Sequence, residues 1–153
     1  PSAMANELLE FEDGTLTGAQ GTYPAVDPDT IATFRDSLQA YWTGKGNEAL
    51  KDFTYAPESY DAVILLALAA LEAGSTAGPD VAAHLQQVSG GSGDGTKCTT
   101  YAECADIIIG GGVADYDGVS GPITFNEVGD PTEATIGIFQ FDDKNNNSFV
   151  RIG

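Results

Sequence analysis

The hydrophobic pattern changes character along the chain. Helical spacing through the first two thirds gives way to short β-branched and aromatic runs. After Asp27-Pro28-Asp29, Ile31, Phe34, Leu38 and Tyr41 recur at helical spacing and Gly44 follows. This predicts a helix with Asp27 as N-cap and Pro28 at the first helical position. "NEALKDF", residues 47–53, predicts another turn or two. Pro57 and Ser59 then introduce "YDAVILLALAALEAG", residues 60–74, which is apolar almost all round, so a helix there must be covered on several sides. Gly74 stops it. Gly78-Pro79-Asp80 starts the next, with Val81, Leu85 and Val88 on one face and His84 beside it, where it reads as a boundary histidine and not a catalytic one.

Residues 5–26, with "FEDGTLTGAQGTYPAV", are punctuated by glycine and suit a short strand or an extended crossover. "SGGSGDGTK" reads as a surface loop, and its Gly95-Thr96-Lys97 order is not that of a phosphate-binding loop. Three strands are predicted, at 122–125, 135–141 and 148–152. The last two flank the polar turn "DDKNNN" and read as a hairpin. Four helical stretches and a few strands make the chain α+β.

Acid-rich segments raise the question of a metal. In "DYDGVSGPITFNEVGDP", residues 115–131, Asp115, Asp117 and Gly118 resemble the opening of a calcium loop, yet no Glu falls at its twelfth position. Asp143, Asn145 and Asn147 mimic the first three calcium positions, and the hairpin turn is the better reading there too. No metal and no cofactor are expected. Asn146-Asn147-Ser148 matches a glycosylation sequon on three residues alone.

Cys98 and Cys104 lie in "KCTTYAEC", where Thr100 and Glu103 form a capping box that opens a helix. Six residues along one helix rise about 9 Å, beyond the roughly 7 Å Cα limit of a disulfide. With Thr100 as N-cap, Cys98 lies outside the helix and the chain can fold back to bridge Cys104. Two close cysteines and a single His favour a disulfide in an oxidising compartment over a zinc site, with two reduced thiols as the alternative.

Composition narrows the function classes. The 153 residues carry a formal charge of −17 with six basic residues, which argues against nucleic acid and against anionic membrane surfaces. No run of about 18 apolar residues is present, so no membrane-spanning helix is expected. No Ser-His-Asp order, HExxH or CxxC motif appears, and an enzyme is not expected. Residues 1–4, Pro-Ser-Ala-Met, read as a cloning scar that stands where an export signal would have been.

The order of "SYDAVILLALAALEAGST", "KCTTYAECADII" and "YDGVSGPITFNEVGDPTEATIGIFQF" resembles the C-terminal portion of the branched-chain amino-acid-type substrate-binding proteins of ABC importers, which have the two-lobed α/β type I periplasmic-binding-protein fold. The likeness lies in Tyr60-Asp61-Ala62-Val63, Gly121 to Phe125 and Gly129 to Pro131, in that order. It runs from about residue 16 to 145, and the cysteine pair is similar to that of actinobacterial members.

The resemblance implies an extracytoplasmic receptor part that binds an amino acid or similar small polar solute by hinged lobe closure and delivers it to an ABC transporter permease. By the family's layout, residues 5–26 are a hinge and second-lobe remnant, 27–135 are first-lobe helices and an edge strand, and 136–153 are the returning hairpin. Thr22 and Tyr23 fall at the crossover. Tyr55, Glu58 and Tyr60 fall near the cleft, with Glu58 facing a ligand ammonium and the tyrosines packing on its side chain. The parallel sheet that such helices cover is missing, so the chain would complete its core with the N-terminal part of the receptor or by self-association. The alternative is a self-associating or partner-docking helical module with no small ligand.

Overall fold

The structure is a computed structural model and describes residues 11–153. It is α+β. In chain order the elements are β1 (Gln20–Pro24), α1 (Ala32–Gly44), α2 (Ala56–Ala73), α3 (Gly78–Val88), β2 (Thr96–Cys98), α4 (Tyr101–Ile109), β3 (Ala114–Tyr116), β4 (Ile136–Phe141) and β5 (Asn147–Ile152). They fall into two compact units. One holds the chain through Thr30 together with Thr135–Gly153, and the other holds Ile31–Ala134.

The first unit is an antiparallel sheet in the order β1-β4-β5. Alternation along β4 buries Gly137, Phe139 and Phe141 on one face. The Phe139 ring lies over Gly21 of β1, where any larger residue would collide with it. The predicted hairpin forms, and its turn is held by side chains. Asp142 Oδ1 accepts from the N–H groups of Lys144 (2.8 Å) and Asn146 (2.9 Å). Asn145, in the left-handed region at φ 59°, is 2% exposed. Its Nδ2 donates to the Glu12 carbonyl (2.8 Å) and its Oδ1 accepts from the Leu16 N–H (2.9 Å), so it pins the segment before β1 to the turn. Of the calcium-like residues of this loop, Asn145 therefore serves as a backbone cap.

In the second unit several boundaries differ from the sequence reading. Asp27 does not cap a helix. Its Oδ1 accepts from Asp29 N–H (3.0 Å) and its carbonyl from Thr30 N–H (3.0 Å), which closes a turn around Pro28. Helix α1 starts a turn later, at Ala32. "NEALKDF" forms no helix. The segment is tied back to α1 instead, with Gln39 Oε1 accepting from Leu50 N–H (3.1 Å) and Asn47 Nδ2 donating to the Trp42 carbonyl (3.2 Å). Helix α2 starts earlier than its apolar run, at Ala56, after Tyr55 turns the chain with a left-handed φ of 63°. It ends at Gly74 in a Schellman arrangement, with Gly74 N–H on the Leu71 carbonyl and Ser75 N–H on that of Ala70.

Strands β2 and β3 pair in parallel on either side of α4, a compact β-α-β unit. The sequence reading placed 96–97 in a loop and missed 114–116. Three residues are too few to show a period, and β3 is buried along its whole length. The predicted strand at 122–125 does not form. Pro122 has no N–H to donate, and the Phe125 N–H goes to Ser89 Oγ (3.1 Å), leaving one isolated bridge from Phe125 to Pro131.

The core joins Leu65, Leu68, Ala69, Val88, Ala105, Ala114 and Tyr116 around the Cys98–Cys104 disulfide. The bridge spans Cα atoms 5.4 Å apart, because Cys98 sits in β2 and Cys104 in the first turn and a half of α4. Between them the capping box is complete. Thr100 Oγ1 accepts from Glu103 N–H (3.2 Å), and Glu103 Oε2 accepts from Thr99 N–H (3.0 Å) and Thr100 N–H (3.2 Å). Helix α2 is covered all round from Ala67 onward, but along its first part Tyr60 (47%), Val63 (64%) and Leu66 (51%) stay exposed.

Reducing the bridge should lower unfolding stability by about 2 kcal/mol, and Thr100→Ala by about 1 kcal/mol, both read by urea denaturation. The N–H group of Thr99, then its hydroxyl, hold the Glu103 carboxyl below its usual range. A depressed carboxyl stabilises the fold above the ordinary range, and that contribution is lost as pH falls through the folded value. Fraying of the α4 start should therefore set in below about pH 4, seen as faster amide exchange at Glu103, and should be absent in Glu103→Gln.

Candidate functional site

The most concentrated polar arrangement of the second unit is built on Asp61. In the second turn of α2, this carboxylate is 1% exposed, carried inward on the face that also buries Leu65 and Leu68. Each oxygen accepts two hydrogen bonds. Oδ1 takes the Tyr116 hydroxyl (2.7 Å) and Val119 N–H (3.0 Å), and Oδ2 takes Ser120 N–H (2.6 Å) and the Ser120 hydroxyl (2.6 Å). Four donors replace the water a buried anion would lose. The same arrangement explains Gly118, where a Cβ would overlap the Asp61 carboxyl group. Burial, and then the bond to Asp61, push the Tyr116 phenol far above its usual pKa, so it stays a donor.

Asp115 and Asp117, the pair that resembled a calcium loop, flank Tyr116 and take a lysine. Lys97 Nζ lies 2.9 Å from Asp115 Oδ2 and 2.7 Å from Asp117 Oδ2. Bonds first to Asp117 and then to Asp115 raise the Lys97 pKa above its usual value. The Asp115 side chain also fits against Gly90, whose φ of 74° and missing Cβ let the loop approach. Among the described residues no group of three His, Cys, Asp or Glu is placed to hold a metal ion. His84 Nδ1 meets the Asp80 carbonyl at 2.8 Å within α3.

The five residues singled out for ligand contact fall into two groups. Thr22 and Tyr23 lie in β1 of the first unit, paired with Ile138 and Gly137. Thr22 is exposed, while the Tyr23 ring packs 5.7 Å from that of Phe139. Tyr55, Glu58 and Tyr60 gather at the start of α2. Tyr55 (39%) and Tyr60 (47%) are exposed, and the Tyr60 ring meets Phe34 of α1 edge-on at 5.4 Å. Glu58 is half-buried, and its Oε2 is buried with no hydrogen-bond partner. Sequence reasoning gave Asp61 no role of its own beyond the resemblance, although an acid among apolar residues was the available signal. It also missed Arg35 and Gln39 of α1, whose Nε and Nε2 are likewise buried and unpartnered. No protein-family model, curated protein or solved structure matches the chain.

Tyr116→Phe, which removes one donor to Asp61, should cost about 1.5–3 kcal/mol in urea denaturation, and Asp61→Ala should cost more because it leaves buried donors unpaired. An Asp61→Ala midpoint equal to that of the wild type would refute this role.

Proposed function

We propose that the chain is the C-terminal part of an extracytoplasmic solute receptor of the type I periplasmic-binding kind, serving an ABC importer and binding an amino acid or similar small polar solute. The observation that supports this most is topological. The second unit is inserted between two neighbouring strands, β1 and β4, paired up to Pro24 and Ile136, with Ala25 N–H on the Thr135 carbonyl at 3.1 Å. The chain thus leaves and re-enters the sheet side by side, as a hinge between two lobes requires. A disulfide suits the oxidising compartment where such receptors work. In this reading Thr22 and Tyr23 lie at the hinge, and Tyr55, Glu58 and Tyr60 form the first-lobe contribution to the site.

The exposed stripe Tyr60, Val63 and Leu66 favours a second reading, a surface on which the rest of the receptor or another chain docks. Self-association would show as a concentration-dependent mass.

Thermal unfolding against amino acids and small organic acids tests the receptor reading, run on this chain and on the longer polypeptide that it would terminate. The longer polypeptide should gain about 3–4 kcal/mol at a thousandfold excess over the dissociation constant, with no comparable gain for this chain alone. A longer polypeptide that none of these solutes stabilises would contradict it.

A further inference from the structure

Helix α1 has no buried residue among its thirteen. A helix of that length is marginal in water without a covered face. Its inner row rests on the segment that follows it. Gln39 Oε1 accepts from Leu50 N–H (3.1 Å), the Arg35 guanidinium lies 4.7 Å over the Phe53 ring, and the Phe34 ring meets Tyr60 edge-on at 5.4 Å. That last contact joins two apolar rows. Along α1, Tyr41 (66% exposed) lies two turns beyond Phe34 on the same face, with Trp42 (40%) beside it. Along α2, Tyr60, Val63 and Leu66 follow one another at helical spacing, each about half exposed or more. Five large side chains of one unit thus stand in water on two helices that touch.

Charge limits what can cover them. The chain carries −17, yet residues 31–66 hold three of its six basic residues, Arg35, Lys45 and Lys51, against five acidic ones, a net −2, and the rest of the chain carries −15. One of those five acids, Asp61, is buried under four donors. Lys45 lies 5.2 Å over the Tyr41 ring, so the charge beside that part of the face is basic. Two copies of this chain repel one another least when they approach through this face. A strongly basic partner, by contrast, would find its complement on the remaining surface. The five side chains offer on the order of 100 Å² each, so two copies face to face would bury about 1,000 Å². That is the lower bound of a specific contact and suits a reversible one. Three of the five are Tyr or Trp, the residues enriched at interfaces.

We propose that the face formed by α1 and the first half of α2 pairs with the same face of a second copy across a two-fold axis, giving a weak homodimer. This rests on the docking reading of the Tyr60, Val63 and Leu66 stripe, adds α1 to it and commits it to one occupant.

Sedimentation equilibrium of this chain over about a hundredfold range of concentration reads the mass, and emission from Trp42, the single tryptophan, reads the face itself. The mass should rise toward twice that of the monomer and no further, with Trp42 emission moving to the blue in step. Added salt should strengthen the pairing by screening like charges, and a pairing that salt loosens would overturn it. Val63→Glu, at a position 64% exposed, should keep the melting temperature measured at low concentration and return mass and emission to monomer values. Val128→Glu, which adds the same charge in an exposed turn, should leave the dimer in place. A mass that climbs past the dimer, a dimer that survives Val63→Glu, or one that leaves Trp42 emission unmoved would each overturn the pairing. A monomer at every concentration would also overturn it, and would leave the docking reading to another occupant, the rest of the longer polypeptide. In that case Val63→Glu should destabilise the longer polypeptide, and if it does not, the docking reading fails as well.

Discussion

Burying one carboxylate constrains most of the 31–134 unit. Asp61 sits inside an apolar helix, where an anion without donors would cost several kcal/mol. The chain meets that demand from more than 50 residues away, by bringing the Tyr116 hydroxyl and the turn at Val119 and Ser120 onto the helix. Once those bonds are made, β3 cannot shift along α2, and β2 must follow it through their parallel pairing. The disulfide then ties β2 to α4. Thus "YDAV" and "YDGVSG", distant in the sequence, are two halves of one interaction.

The sheet of β1, β4 and β5 answers a different constraint. Its strands come from both ends of the described chain, so the β1–β4 pairing closes a loop that contains the other unit. Asn145 reduces the freedom of the near end by tying residues 11–16 to the hairpin turn.

What the sequence made legible follows from how far each signal reaches. The helix of "KCTTYAEC" and its bridge were readable because the capping box, the cysteine spacing and the helical rise are all local. The hairpin was readable for the same reason. Asp27-Pro28 misled because an acid that accepts from the N–H two residues on serves a helix N-cap and a free-standing turn alike, and here the chain makes only the turn before α1 begins at Ala32. "NEALKDF" misled because it is tied back to α1, the Gln39 side chain taking the Leu50 N–H and the Asn47 side chain reaching the Trp42 carbonyl, and only the fold places them there. At the site, Glu58, Tyr55 and Tyr60 were named from a resemblance. That Arg35 and Gln39 lie along the same segment depends on how α1 packs, which no spacing rule displays.

Native-state hydrogen exchange at the Val119 and Ser120 amides tests the central claim most directly. If Asp61 fixes the 117–121 turn to α2, these two loop amides should be protected as strongly as the buried amides of Leu65 and Leu68 and should open only with them. Exchange at the rate of an exposed loop, while α2 stays protected, would mean that the turn is not held by the carboxylate and that the unit is organised in some other way.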